Sequence, residues 1–506
     1  MMKRAPVLSD QLCDIQGLLR SGYGWLKVSR FWLLTIRDGR EDEARAWLSA
    51  LLHSGLIVSA KRVGQAKHEK IDEAAAIAFS FAGLSSLGCA ETRAHPFPTP
   101  FRSGMGSEAR ETLLKDGPRQ WRWSDVDGRA GRQAAHILVA QWYSQHGETR
   151  MPVPDPQVFC SINVIDNHPG SFTTDDGKPT DKLYEPFRFR DGVAQPVIHG
   201  LRDADGEALK RARRDAGLLY DDRVVAPGEF ILGYRNEYDE LSYCPDVERW
   251  AQSVQAGHSG GRFGLNGSYL AVRQIEQHVE TFNTLQAAYG EALCAKLMGR
   301  SKNGLPLSWQ GDPKADISDS EADAFRYQTE DANGFMCPRG SHIRRMNPRD
   351  ALGIDVPSGI KASKLHRLLR RGRPYFEEPE TVGGPSRQGI FFIACNADLE
   401  RQFEFVQQRW MRNSRFANLR DEDDPVVGSS RDRKKFTIPN WPSGDEISLE
   451  ALTTTLGGGY FFLPGIKALE FVARHSARDL VATAASDLTS PMANRPTRAD
   501  RTHPAG

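Results

Sequence analysis

A histidine flanked by arginines is the first arrangement in this sequence whose chemistry can be named. In GFMCPRGSHIRRMNPRD (Gly334–Asp350), His342 sits among Arg339, Arg344, Arg345 and Arg349. Neighbouring positive charge disfavours protonation of an imidazole, so His342 is expected to remain a neutral lone-pair donor. The thirteen histidines include no H-E-x-x-H pair or other clustered ligand set. That argues against a zinc or mononuclear iron site built from several histidines. One histidine is enough for a haem, whose macrocycle supplies four nitrogens and asks the protein for one axial ligand. The two haem propionates need cationic partners, and Arg344 with the adjacent arginines is placed to meet them. An ordinary surface histidine is the other reading of the same residues.

Other motifs carry less chemistry. GHSGG (Gly257–Gly261) matches a nucleophile pattern, but a helix-like segment precedes it and a glycine-rich loop into a strand follows, not the strand, turn and helix that a hydrolase needs. GGGY (Gly457–Tyr460) lacks the lysine of a phosphate loop and reads as a tight turn into the last strand. The basic runs Lys210–Arg214 and Arg431–Lys435 read as solvated faces, because 66 Lys+Arg against 65 Asp+Glu leave a net charge of only +1. A balanced total argues against a protein built around a global nucleic-acid or anionic-membrane field, while leaving a local patch of either kind open.

The stretch around His342 resembles the proximal segment of the dye-decolourising peroxidase (DyP-type) family, CP-x-x-x-HIR-x-x-NPR, matched by Cys337, Pro338, His342, Ile343, Arg344, Asn347, Pro348 and Arg349. Further blocks agree in order: DIQG (Asp14–Gly17), FRFRDGVAQPVIHG (Phe187–Gly200), PGEFILGY (Pro227–Tyr234), NGSYLAVRQIEQHVETF (Asn266–Phe282), LMGRSKNGLPL (Leu297–Leu307), LHRLLRRGRPY (Leu365–Tyr375) and GGGYFFLPG (Gly457–Gly465). The resemblance implies haem b with His342 as the iron ligand and a carboxylate behind its imidazole, Asp424 or the adjacent Asp423. It implies Asp191 as the distal acid–base group and Arg370 as the distal arginine, with Arg367, Arg371 and Arg373 as alternatives. It also places Phe392 as an apolar residue over the haem. One departure stands out: Arg188 replaces the first glycine of the family's G-x-x-D-G. Arg188 either narrows the pocket and lowers the pKa of Asp191, or points away from it.

These residues need elements to hold them. At 506 residues the chain exceeds what one hydrophobic core supports. Val28–Ile36 is rich in β-branched and aromatic residues, and Ala44, Trp47, Leu48, Leu51 and Leu52 share a helical face ending at Gly55. IVSAK, AIAFSF and Val158–Ile165 read as further strands. A second unit opens at PGEFILGY, a turn and a strand, runs through a polar, Gly-rich stretch from about Cys244 to Gly334, and ends on GIFFIACN, a helix with Leu399, Phe403, Val406 and Trp410 on one face, and GYFFLP. The expected class is therefore α+β: two ferredoxin-like antiparallel sheets with peripheral helices, of the dimeric α+β barrel type, with haem between the sheets or within the C-terminal half. The expected divisions are 1–205, 225–480 and a disordered tail, 485–506. The longest uncharged run, Ala74–Ala90, reads as a buried strand and small-residue turn. Seven dispersed cysteines with no CxxC indicate neither a disulfide framework nor a thiolate metal site, and no export signal is visible, so a soluble cytoplasmic protein is expected.

The function implied is a haem peroxidase acting on hydrogen peroxide and an organic electron donor such as a dye or phenol, in one-electron steps. Electron transfer would run through surface members of the 10 Trp and 12 Tyr, among which the sequence does not choose. No nucleic-acid or membrane partner is expected, and a homo-oligomer is left open. A haem-handling protein with impaired peroxide activation is the alternative, resting on Arg188.

Overall fold

A computed structural model describes residues 6–474 apart from 66–70, 91–94, 116, 118–120, 129–132, 145–148, 175–176, 202–222, 249, 252–261, 380–385, 428–433 and 440–445. The basic run 210–214, GHSGG and the tail 485–506 lie outside the described residues, as does most of the interval between the two expected units.

Eight strands form the scaffold: β1 (Val28–Ile36), β2 (Glu73–Phe79), β3 (Ile137–Tyr143), β4 (Phe159–Asn167), β5 (Ser268–Gln277), β6 (Arg373–Glu377), β7 (Arg387–Asn396) and β8 (Thr453–Leu463). Their order is β6-β4-β1-β3-β2-β8-β5-β7, and β7 pairs back onto β6, so the antiparallel sheet closes into a barrel. Each half has the ferredoxin-like order, with its first and third strands in the middle. The halves meet at thin seams: Phe79 opposite Phe462 on one side, and Asn167 and Asp166 opposite Tyr375 and Phe376 on the other. The expected pair of sheets is thus one closed barrel made of two ferredoxin-like halves. Closure leaves no free edge along the ring.

Side-chain alternation divides the core in two. Phe31 and Leu33 of β1, Phe391 and Ile393 of β7, and Trp142 of β3 pack inside the barrel, where Phe31 stacks on Phe391 at 4.3 Å. Leu34 and Ile36 of β1 face outward to α1 (Glu41–His53), which buries Ala44, Trp47, Leu48 and Leu51 as its spacing predicts. Three acidic residues open α1 and favour its positive N-terminal end, while Gly55, at φ 71°, turns the chain away after it.

Several local expectations change. IVSAK forms only isolated bridges, Ser59 with Gln16 and Ile57 with Ala75, before a short helix at Ala60–Gln65. PGEFILGY is a 3-10 turn, Pro227–Glu229, followed by a buried irregular stretch instead of a strand. The segment read as polar and Gly-rich contains β5, two helices, α2 (Val279–Tyr289) and α3 (Glu291–Met298), and two helical turns, Asp319–Ala322 and Tyr327–Glu330. GGGY is no turn: it lies within β8, where a Cβ on Gly457 would stand 2.3 Å from the Trp123 indole, so the glycine serves close approach. The Leu399–Trp410 face is buried as expected, on two wide-turn helical segments, Glu400–Glu404 and Val406–Met411. No helix among the described residues is long and apolar enough to cross a membrane.

Candidate active site

The outer face of the C-terminal half carries the cavity. Arg273, Ile275 and Gln277 of β5 alternate onto that face, and Ile390 and Phe392 of β7 lie beside them in register, Phe392 opposite Arg273 and Ile390 opposite Ile275. A helical layer holding Met346, Phe403, Val406 and Met411 packs above, and the segment 181–195 closes the side. The space enclosed is about 540 Å³, within the usual range for ligand pockets. The cavity therefore lies between one sheet face and its helices, not between two sheets.

His342 is the first residue of α4 (His342–Met346), held by Ser341, whose hydroxyl donates to the Lys296 carbonyl at 2.5 Å. Its Nδ1 donates to Asp424, 3.1 and 3.0 Å from the two carboxylate oxygens. That bond leaves Nε2 as the lone-pair nitrogen of an imidazole lining the cavity. Asp424 is fully buried and also accepts from the Val426 and Val427 amides at 2.9 and 2.8 Å. Burial pushes its carboxyl upward, but His342, Arg345 and the Val427 amide outweigh burial and hold it at about 2. Of the two carboxylates expected behind His342, Asp424 makes the contact. Lys434, expected on a solvated basic face, is instead buried and donates to the Asp424 and Val427 carbonyls, both at 3.0 Å.

Asp191 and Arg370 line the same cavity, with a guanidinium nitrogen 3.9 Å from the carboxylate. Leu369–Arg370 is a two-residue strand on β7, so Leu369 enters the barrel interior while Arg370 takes the outer face. Gln195 fixes the arginine from below, accepting its backbone N–H at 3.0 Å. Of the alternatives, Arg367 does not reach the cavity wall, whereas Arg371 and Arg373 line it with their guanidinium groups tied down, Arg371 donating to the Leu18 and Leu19 carbonyls and Arg373 to those of Gly22 and Tyr23. Asp191 is set by its amide bonding Leu183 and by its carboxylate accepting the Gly192 amide at 2.6 Å, with Gly192 at φ 85°.

Arg344 does not join them. Two residues past His342 on a helix of 3.6 residues per turn, it projects to the other side. There it donates to the carboxylate and carbonyl of Asp331 and to the Cys337 carbonyl, and lies 4.3 Å from the centre of the Tyr327 ring. Arg345 and Arg349 are likewise buried, Arg345 on the carbonyls of Gly340, Trp410 and Glu422 and Arg349 on Asp323. The arginine cluster around His342 therefore braces the loop. The cavity's own cations include Arg190, Arg273 and Arg300.

Arg188 adopts φ 72°, the left-handed conformation a glycine would favour, and its guanidinium turns outward to the Gly170 and Thr173 carbonyls at 3.1 and 2.5 Å. It does not line the cavity. Arg188→Gly should relieve about 1 kcal/mol of backbone strain while losing those bonds. Stopped-flow mixing with peroxide should give a rate within about twofold of wild type, since the guanidinium lies outside the cavity and the Glu185 bonds to the turn before Asp191 remain. A rate change of about tenfold would mean that the guanidinium, or its anchoring of that turn, matters to the reaction.

The cavity wall also fits a bound group. Among the described residues, the Asn347 side chain has both polar atoms buried without a partner, as have Gln407 at Nε2 and Gln277 at Oε1. All three line the cavity, so the wall offers polar contacts to a ligand that is largely apolar with a few polar groups. No cluster of three or more His, Cys, Asp or Glu among the described residues would hold a bare ion, whereas one imidazole with a buried carboxylate behind it suits an iron macrocycle. Sequence reasoning missed Gln195, Gln277 and Gln407, and gave Asn347 no role although it belongs to the proximal motif.

Comparison with known proteins points the same way. The family described as Dyp-type peroxidase, C-terminal, matches residues 245–430. The multifunctional dye peroxidase DyP2 of an Amycolatopsis species is 30% identical over 472 residues, spanning 87% of this chain and 92% of that protein. The dye-decolorizing peroxidase msp1 of Mycetinis scorodonius is 25% identical over 501 residues, 91% of this chain and 87% of that protein. Among solved structures, an Anabaena DyP-type peroxidase superposes with a TM-score of 0.71 at 22% identity, covering 92% of this chain and 95% of that one.

Proposed function

The chain belongs to the dye-decolourising peroxidase family, and from that premise we propose that it is a haem-dependent peroxidase, reducing hydrogen peroxide and oxidising dyes and phenolic donors one electron at a time, with haem b in the cavity beside β5 and β7. The observation that carries the reading is the convergence on one cavity of a carboxylate-backed imidazole, His342 with Asp424, and an acid–base pair, Asp191 with Arg370. His342 would hold the iron, Phe392, Met411 and Val426 would cover the apolar macrocycle, and Arg190, Arg273, Arg300 and Asn347 would meet its polar edge.

Haem, when bound, supplies the electron exchange with peroxide and then with the donor. The chain moves the protons. An Asp191 carboxylate oxygen accepts the proton from one peroxide oxygen and returns it to the other, so that water leaves. Arg370 stabilises the negative charge that develops as the O–O bond breaks, and the Gln195 bond to its backbone keeps it in place beforehand. Asp424, anionic and fully buried, keeps the His342 proton on Nδ1 and so leaves Nε2 as the nitrogen with the free lone pair.

The test is an absorption spectrum of the purified protein before and after peroxide, with an anthraquinone dye as donor. A Soret band that shifts with one equivalent of peroxide, and bleaching of the dye only when peroxide is present, are the expected results. A Soret band without donor oxidation would favour a haem-handling role, and a protein that takes up no haem would overturn both.

A further inference from the structure

Glu185 is a buried carboxylate that the reaction outlined above does not use. It lines the cavity six residues before Asp191, with 4% of its surface exposed. Both oxygens are engaged by N–H donors. Oε1 accepts the Phe189 amide at 2.7 Å, and Oε2 accepts the Phe187 amide at 3.0 Å together with the side-chain amide of Gln277. The backbone closes the same turn, with the Arg188 amide on the Glu185 carbonyl at 2.7 Å and the Glu185 amide on the Phe189 carbonyl at 3.1 Å. This turn contains the left-handed Arg188 and delivers the chain to Asp191.

Resting on the peroxidase reading, we propose that Glu185 is a positioning residue for the distal acid–base group: its carboxylate gathers the 187 and 189 amides and ties the turn that presents Asp191 to Gln277 at the end of β5. The bonding pattern requires a group that only accepts. A glutamine in its place would turn an NH2 towards one of the donors, leaving two N–H groups face to face and one buried amide unpaired. Burial disfavours the charge and pushes the Glu185 carboxyl up to about 7, against the bonds from Gln277, Phe189 and Phe187 and with the Asp191 charge adding to the rise. The same three N–H donors that gather the turn are what favour the charged, acceptor-only form against burial. Gln277 extends the tie, because its Nε2 faces Glu185 while its Oε1 is buried at the cavity without a partner among the described residues.

The test is Glu185→Gln in the haem-loaded protein, with Glu185→Asp as the conservative control. Glu185→Gln should retain the Soret band and lose no more than a few degrees of melting temperature, the cost of one buried unpaired amide, and hydrogen exchange of the peptide covering 183–193 should quicken. Its reaction with peroxide, and its association with hydrogen cyanide, which must surrender a proton to bind, should both slow by about tenfold, the effect of one lost hydrogen bond on placement. The KM for the dye should not move, and Glu185→Asp should recover part of the loss. Unchanged exchange and unchanged peroxide and cyanide rates would overturn the proposal. So would equal losses in haem content, melting temperature and every kinetic constant, which mark a purely structural role. If Glu185→Gln fails to fold, Gln277→Ala decides: slower peroxide and cyanide reactions with faster exchange at 183–193 support the proposal, and wild-type values reject it. A wild-type protein inert to peroxide would instead refute the peroxidase reading.

Discussion

His342→Ala should purify as a folded protein without a Soret band. The imidazole is the one nitrogen ligand at the cavity wall, and among the described residues lining that wall there is no second histidine and no cysteine to replace it. Folding should survive, because the side chain makes a single polar bond and lies partly open to the cavity. Asp424 keeps the Val426 and Val427 amides when the imidazole is removed. The loss of stability should be about 1–3 kcal/mol, the cost of one charged hydrogen bond, and calorimetry would read it as a modest fall in melting temperature. Added imidazole should enter the vacated space and restore haem binding, measured as absorbance per mole of protein. A Soret band of wild-type height in His342→Ala would mean that the iron is held elsewhere. Collapse of the fold would mean that the loop Gly334–Asp350 depends on the imidazole more than on its arginines.

That loop shows what a sequence discloses and what it withholds. His342 was legible because the proximal motif is contiguous, and β1 was legible to the residue because alternation and β-branched residues coincide over Val28–Ile36. Arg344 was misassigned for a geometric reason. Spacing along the chain puts it beside His342, whereas a helical turn puts it on the far side, where Asp331 and the Cys337 carbonyl already await it. β3 escaped notice because its residues are buried on both faces, so ILVAQWY shows no alternation of apolar and polar residues. The barrel itself has no local signature: its seams pair Asn167 with Tyr375 and Phe79 with Phe462, residues from opposite halves of the chain. The placement of Arg370 depends on its pairing with Ala394, and that of Asp191 on a turn organised by Glu185, so the residue types at the distal side were readable while their support was not.

The distal pair yields the second large effect. Asp191→Asn preserves shape and removes the proton acceptor, so the bimolecular rate with peroxide should fall by about 10²–10⁴, the usual contribution of a positioned acid–base group. Arg370→Leu removes the preorganised cation and should cost about 10²–10³. Both variants should keep the Soret band, because neither residue touches His342 or Asp424 in the network of bonds that holds the imidazole. Their effects should not add. With the guanidinium 3.9 Å from the carboxylate, each orients the other and both act on the same bond cleavage. The double variant should therefore lie well short of the product of the single losses, measured by stopped-flow absorbance under pseudo-first-order peroxide. Independent effects, multiplying fully, would mean that the two groups serve different steps. If both single variants turned over peroxide at the wild-type rate, the acid–base role assigned to this side of the cavity would be wrong, although the iron site at His342 would stand.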